Sequence, residues 1–438
     1  MKSHRWTLSL LIFAALGAAT AAGDDLGPSA KPAVATKSRA ADPTRAVIER
    51  VKALRGKVEL GPEGSIIAIN LIPREAGDAD LQLFSTLGSL QKLELYGAKI
   101  TDAGMPFLAR LAKLRDLTLE NTDITNRGVK QLEKLVNLRS LNLRRTTNMT
   151  NAALASLKRL PRLQYLTLLY NNVGDDGMQW LKDLTQLRLL DLRGCNVGDA
   201  GLAELRGLTN LVVLKIRSSS VTDAGMKSLA GMKKIITLSL EDCTITDAGL
   251  QYLKGMDLKD LGLLRCTNIT DDGLAALAGQ SSLERLDLRG IPVNGAGLAH
   301  LKKAAGLKKL DLTETQTDDA GLANLKAFPE LETIDLWHTR VTDAGLVHLQ
   351  CLTKLVSLRL EDNGLSDKGV ANLTALSGLE TLNIQHNAIT DAVLPSLEKF
   401  TRLKSLNLGL TEVSDEAVEK LQAALPHCKV SREATVRD

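Results

Sequence analysis

The sequence predicts an α/β solenoid with a concave parallel β-sheet and a convex layer of short helices. Three observations carry that expectation. The pattern Leu-x-x-Leu-x-Leu recurs from Leu90-Leu93-Leu95 onward with a dominant step of 24 residues. Residues over each pattern alternate between apolar and polar, as in Leu187-Arg-Leu-Leu190-Asp-Leu192-Arg193, which marks a strand with one buried face. The second half of each unit reads Val-Thr-Asp-Ala-Gly-Leu-x-x-Leu, as at Val341 to Leu349, which marks a short helix or 3₁₀ turn with a capped start.

The strand pattern begins at Ile66-Ile69-Leu71 and continues at Leu90, Leu114, Leu138, Leu163, Leu187, Leu211, Ile235, Leu258, Leu283, Leu307, Leu331, Leu355, Leu379 and Leu403, fifteen units in all. A chain of 438 residues without such a period would suggest two or three domains; with it, the repeats form one stack. Aromatic residues make up only 3% of the chain, so the core is built of leucine. Strands stack about 4.8 Å apart, whereas helices need roughly 10 Å. The helical side therefore fans out and the strand side closes up. Fifteen strands would span on the order of 70 Å along the concave face. Each buried leucine contributes roughly 1.5–3 kcal/mol, and most are covered by a neighbouring repeat, so no unit folds alone.

Within the unit, Leu238-Ser-Leu240-Glu-Asp-Cys243-Thr-Ile245-Thr-Asp-Ala-Gly249-Leu250 resembles the leucine-rich-repeat superfamily, in particular its ribonuclease-inhibitor-like and cysteine-containing types. Those types carry Leu-x-x-Leu-x-Leu-x-x-(Asn/Cys) followed by Ile-Thr-Asp-x-Gly-Leu. The resemblance implies a horseshoe fold and is nearly silent on function. Some cysteine-containing relatives serve as substrate receptors of ubiquitin ligases, but no F-box-like helical module precedes the repeats here.

The ends are expected to differ from the repeats. Lys2, His4 and Arg5, an apolar run from Leu8 to Ala19, and small residues up to Ala22 have the layout of a secretory signal over residues 1–22. Residues 23–42, rich in Ala, Pro, Lys and Asp, read as a flexible linker. Residues 43–65 read as an N-terminal cap, a helix with Val47, Ile48, Val51 and Leu54 on one face and then a hairpin. Repeats occupy 66–427, and residues 428–438 close the stack and form a tail. The signal implies export to a bacterial-type periplasm or cell surface, with no membrane span after cleavage.

Composition and motifs exclude several functions. The formal charge is +4, and removing Lys2 and Arg5 leaves 53 basic against 51 acidic residues, or +2. That balance is unlike a nucleic-acid binder. No Walker loop, G-x-G-x-x-G, H-E-x-x-H, G-x-S-x-G or C-x-x-C occurs. Five cysteines without paired spacing are no disulfide framework. Cys195, Cys243 and Cys266 share one slot with Asn171, Asn363 and Asn387, where a side chain turns into the loop and hydrogen-bonds buried backbone. An Asp recurs at Asp102, Asp175, Asp199, Asp223, Asp247, Asp271, Asp343, Asp367, Asp391 and Asp415, where a helix N-terminus favours a cap or a negative charge rather than a calcium column. His338 and His386 lie two strands apart, too far for a compact metal pair. No cofactor and no metal are expected, and the chain reads as a monomer.

Function is therefore expected on the outward positions of the strands. Tyr165, Leu189 and Val213 occupy one position of three adjacent strands, with Leu169 and Tyr170 beside them and Arg193 and Arg217 at the border. An apolar patch rimmed by arginine suits a protein-binding hot spot. A second group sets Asp287, Asp311 and Asp335 on adjacent strands, with Trp337 and His338 at the end, and with Arg285, Arg289, Lys309 and Arg359 near enough to neutralise the carboxylates. The leading expectation is a non-catalytic protein-interaction scaffold that binds a protein or peptide on its concave face. The alternative is a carbohydrate- or envelope-binding structural protein, for which Tyr96, Tyr165, Tyr170 and Trp337 would supply the stacking rings.

Overall fold

In the computed structural model the chain divides into residues 1–42 and Pro43–Asp438, and residues 43–433 are described. The expected signal and linker lie outside the described residues. A helix, Pro43–Ala53, comes first and buries Val47 and Val51. It leads into β1 (Lys57–Leu60), which pairs antiparallel with β2 (Ile66–Glu75). Arg50 on this helix donates from Nε to Asp80 Oδ1 at 2.6 Å, which ties it to the first repeat.

Parallel strands follow, one per repeat: β3 (Lys92–Tyr96), β4 (Asp116–Glu120), β5 (Ser140–Asn142), β6 (Tyr165–Thr167), β7 (Leu189–Arg193), β8 (Val213–Arg217) and β9 (Thr237–Glu241). The series continues with β10 (Asp260–Gly262), β11 (Arg285–Asp287), β12 (Lys309–Asp311), β13 (Thr333–Asp335), β14 (Ser357–Arg359), β15 (Thr381–Asn383), β16 (Ser405–Asn407) and β17 (Lys429–Ser431). From β2 to β17 each strand pairs in parallel with the next one in sequence. The fifteen repeat strands are β2–β16. The closing segment adds one more, β17, because the helix Asp415–Ala424 returns the chain to the sheet edge and buries Leu421, Leu425 and Cys428.

Register is strict, so equivalent residues of successive repeats stack in columns. Leu190 lies beside Leu166 and Leu214 on the buried side, and Leu192 beside Ile216. The return segments are short α- and 3₁₀-helices such as Asp199–Leu205 and Asn151–Arg159. Phe84, Phe328 and Phe400 are fully buried among the leucines.

The recurrent aspartates do more than start their own helices. Thr222 caps its own helix, accepting from Ala224 N–H. Asp199, one repeat earlier, accepts from Thr222 N–H at 2.8 Å, Thr222 Oγ1 at 2.6 Å and Gly225 N–H at 2.9 Å. Asp223 likewise accepts from the N–H and hydroxyl of Thr246, Asp343 from those of Ser366 and Asp391 from those of Ser414. Each carboxylate thus bolts its repeat to the next, and its charge is consumed by N–H and O–H donors. In most repeats a glycine two residues after the Asp leaves room for the preceding repeat's carboxylate, since a Cβ on Gly225 would lie 2.4 Å from Asp199 Oδ1; Val393 and Ala417 stand in that place after Asp391 and Asp415. The Asn/Cys slot behaves as its position implies. Asn171 Nδ2 donates to Leu143 O at 2.7 Å, and Cys195 Sγ to Leu168 O at 3.0 Å.

Candidate functional site

Tyr165, Leu189 and Val213 are paired across β6, β7 and β8. Alternation along β8 turns Leu214 and Ile216 inward and leaves Val213, Lys215 and Arg217 half-buried on the outer face. Tyr165 and Leu189 are half-buried in the same column, so the three side chains form a ledge that is neither core nor fully wet. Leu169 is half-buried just past the end of β6, and Tyr170 beside it is 37% exposed.

Tyr170 sits in the left-handed region, at φ 58°, as do Asn121, Arg145, Asp242, Arg265, Glu314, His338, Asp362 and His386 in the same place of other repeats. The backbone there still donates to the next strand, Tyr170 N–H to Arg193 O at 2.9 Å. The left-handed turn throws these side chains onto one rim of the sheet. Only its glycines, Gly97, Gly194 and Gly290, hint at this column in the sequence.

Along that rim and the strand ends an ion network connects five repeats. Arg193 donates to Asp191 from Nε at 3.0 Å and to Glu241 from Nη1 at 3.1 Å. Burial works against its charge, but Asp191 and Glu241 outweigh burial and hold the guanidinium above its ordinary range. Arg217 and Arg265 share one carboxylate, Asp242, at 2.6 and 2.5 Å. The hydrogen bond from Arg265, opposed by burial and reinforced by Arg217, holds Asp242 below the usual carboxylate range. Arg217 Nη1 also donates to Tyr170 Oη at 3.3 Å, across Gly194. A Cβ on Gly194 would lie 2.3 Å from the Tyr170 ring, so the ring reaches Arg217 only because that residue is glycine. On its other side the Arg145 guanidinium lies 5.4 Å from the ring centroid. Seven of the sequence-predicted residues, Tyr165, Leu169, Tyr170, Leu189, Arg193, Val213 and Arg217, therefore cluster on adjacent repeats. Asp242, Arg265, Glu241, Arg145 and Lys215 complete the cluster and were not singled out from the sequence.

Trp337 and His338 lie apart, at the end of β13, five strands beyond β8. Their ring centroids are 6.3 Å apart. His338 and His386 both turn Nδ1 toward Asp362, at 2.6 and 2.9 Å. Among the described residues no group of three or more His, Cys, Asp or Glu is placed to hold a metal ion. Asp287, Asp311 and Asp335 stand in register on β11–β13. Arg289 lies 3.7 Å from Asp311 and Arg359 lies 3.6 Å from Asp335. Neutralisation is incomplete: burial, with Asp287 and Asp335 on either side, pushes Asp311 up to about 6. A cavity of about 600 Å³ opens beside Asp102 and Arg127 near the helix starts, but Asp102 is already occupied by Thr125 N–H and Oγ1.

Residues 78–266 match a family described as a leucine-rich repeat region, and 264–278, 351–373 and 378–392 match a second leucine-rich-repeat family. The fold is a leucine-rich-repeat solenoid. An internalin (inlF) from Listeria monocytogenes superposes with a TM-score of 0.52 at 20% identity, over 84% of this chain and 94% of its own. An LRR protein of Leptospira interrogans superposes with a TM-score of 0.50 at 19% identity, over 80% and 86%. No curated protein sequence matches the chain. Leucine-rich-repeat solenoids are typical of protein-interaction scaffolds, and here the repeats of β6–β9 carry the apolar ledge and the arginine network together.

Proposed function

We propose that the chain is an exported, non-catalytic scaffold that binds a protein or peptide on the concave face of its leucine-rich repeats, centred on β6–β8. The observation that carries this reading is the registered ledge of Tyr165, Leu189 and Val213 beside Tyr170, Arg193 and Arg217. Half-buried apolar groups ringed by aromatic and arginine side chains are the composition of interface hot spots. Tyr170 is held by the Arg145 guanidinium over its ring and by the hydrogen bond from Arg217 to its hydroxyl before any ligand arrives, so less side-chain entropy remains to be lost on binding. Export rests on the sequence of residues 1–22, where a basic start precedes an apolar run and small residues.

The test is affinity capture from an envelope extract with the wild-type chain and with Leu189→Asp combined with Val213→Asp. Both substitutions fall on outward positions and should leave far-UV circular dichroism and melting nearly unchanged. Loss of the captured partner in the variant supports the reading; an identical set of captured proteins overturns it. Export is checked by N-terminal sequencing of the chain recovered from a secreting host, which should begin after Ala21 or Ala22.

A further inference from the structure

Among the described residues, the centre of this face holds a cation with no hydrogen bond and no close ion pair. Lys215 lies on β8 two residues after Val213 and on the same outer side. Its register neighbours are Asp191 and Ser239. Among the described residues Lys215 forms no hydrogen bond and no close ion pair. The acids that attract it at longer range are Asp191, Asp260 and Glu241. Each is already engaged, the first and last by Arg193 and Asp260 by Arg285 at 3.9 Å.

We propose that the ligand is a peptide segment carrying a carboxylate next to an aliphatic or aromatic side chain, with Lys215 receiving the carboxylate and Leu189 and Val213 receiving the apolar group. This rests on the reading of the concave face given above and names its partner's chemistry.

Charge complementarity supports an acidic partner. Arg193 is satisfied by two acids, whereas Arg217 and Arg265 divide one carboxylate between them. Arg145 faces the Tyr170 ring and, among the described residues, forms no ion pair with a carboxylate. The ledge is therefore bordered by more positive charge than its own acids neutralise. Burial first, and then the nearby Arg193, hold the Lys215 ammonium below the ordinary lysine range. A half-buried ammonium without a hydrogen bond is costly, and a ligand carboxylate relieves that cost. Spacing sets the ligand's pattern. Two strand residues cover about 7 Å, so the carboxylate and the apolar group must sit within about two residues of each other on an extended peptide.

The experiment selects a random twelve-residue peptide display library against the full chain. Enriched peptides are then synthesised and their binding is measured by fluorescence anisotropy. The expected result is enrichment of Asp or Glu within two positions of an aliphatic or aromatic residue. Changing that Glu to Gln should weaken binding to wild type roughly ten- to hundredfold. Lys215→Gln should weaken binding of the Glu peptide to a similar degree while leaving the Gln peptide unaffected. The Lys215→Gln protein must melt like wild type. Peptides that lose binding to Leu189→Asp/Val213→Asp but are indifferent to Lys215→Gln overturn this inference and leave the concave-face reading standing. Failure to enrich any peptide, or equal binding by the Leu189→Asp/Val213→Asp chain, overturns both.

Discussion

The bolt between repeats can be tested by a double-mutant cycle on Asp199 and Gly225. Asp199 Oδ1 accepts from Thr222 N–H and Gly225 N–H, and Oδ2 from Thr222 Oγ1. Hydrogen bonds to a charged acceptor contribute about 1.5–3 kcal/mol each. The site is partly exposed, so water replaces part of what is lost, and Asp199→Ala should cost about 2–4 kcal/mol. Gly225→Ala places a Cβ 2.4 Å from Asp199 Oδ1 and 3.0 Å from Leu202 Cδ1. The carboxylate must leave, and both Oδ1 hydrogen bonds go with it. Against that loss stands a helix-propensity gain of about 1 kcal/mol for Ala over Gly, so the single substitution should cost about 2 kcal/mol net. In the Asp199→Ala background the carboxylate obstruction is gone and only the Leu202 Cδ1 contact at 3.0 Å remains, which the helix-propensity gain offsets, so Gly225→Ala becomes close to neutral. The two changes should therefore be coupled by about 2 kcal/mol. Urea unfolding followed by far-UV circular dichroism measures all four proteins, and unchanged m-values confirm that one transition is being compared. Additivity within about 0.5 kcal/mol would refute the bolt, because distant or independent sites behave that way.

Further consequences follow from the same geometry. Gly194→Ala adds a Cβ against the Tyr170 ring at a residue with φ +69°, so it should lower stability by about 1–2 kcal/mol and impair ligand capture as Tyr170→Ala does; wild-type melting and capture would contradict it. Asp311 is raised to about 6 by burial and by Asp287 and Asp335, against about 3.9 unfolded. The native state then holds a proton that the unfolded chain has released, so stability falls as pH rises from about 4 to about 6 and stays lower above that. Asp311→Asn should raise the melting temperature at pH 7 and not at pH 4, which thermal scans at both pH values will show. Cys351 is exposed while Cys195, Cys243, Cys266 and Cys428 are buried, and burial pushes Cys195 up to about 12. A thiol-specific chromogenic disulfide should therefore report one prompt thiol in the native chain and five after denaturation; two or more prompt thiols would count against this packing.

The fold was legible because its signal is redundant. Each leucine of Leu187-x-x-Leu190-x-Leu192 has an equivalent one repeat on, and an inward residue of a stacked strand must be apolar whatever the loops do. The outward ledge was legible for the same reason, since alternation that sends Leu190 inward sends Leu189 outward. The interactions of the Asp column were less so. Sequence shows that Asp199 stands at a helix start, but its partners are 23 and 26 residues away, and only stacking brings them near. The rim was hardest to read. Tyr170, Asp242 and His338 follow no residue-type pattern, because what unites them is a backbone turn of positive φ that non-glycine side chains do not announce.

On the proposed reading, that rim concentrates binding on a few repeats of a regular stack. A column of side chains spaced one strand apart normally touches only its immediate neighbours. Where the column holds glycine, a side chain can lean across and reach the second repeat, as Tyr170 does over Gly194 to Arg217. Arg265 instead turns back to grip Asp242 of the preceding repeat, and its Cγ stands 2.9 Å from where a Cβ on Gly290 would lie. The two glycines thus leave room in the column for a bulky neighbour, the Tyr170 ring at Gly194 and the Arg265 stem at Gly290. Between them the strands expose Leu189, Val213 and Lys215 with no bulky rim residue rising from Gly194 to cover them. Filling that gap should therefore alter binding more than it alters folding, and comparing Gly194→Ala with Gly194→Lys on one peptide separates the two effects. Both variants share the cost of a Cβ at positive φ. If the gap matters only to folding, they will bind the peptide equally; if it also keeps the ledge open to an acidic peptide, the longer side chain will change affinity beyond what the alanine does.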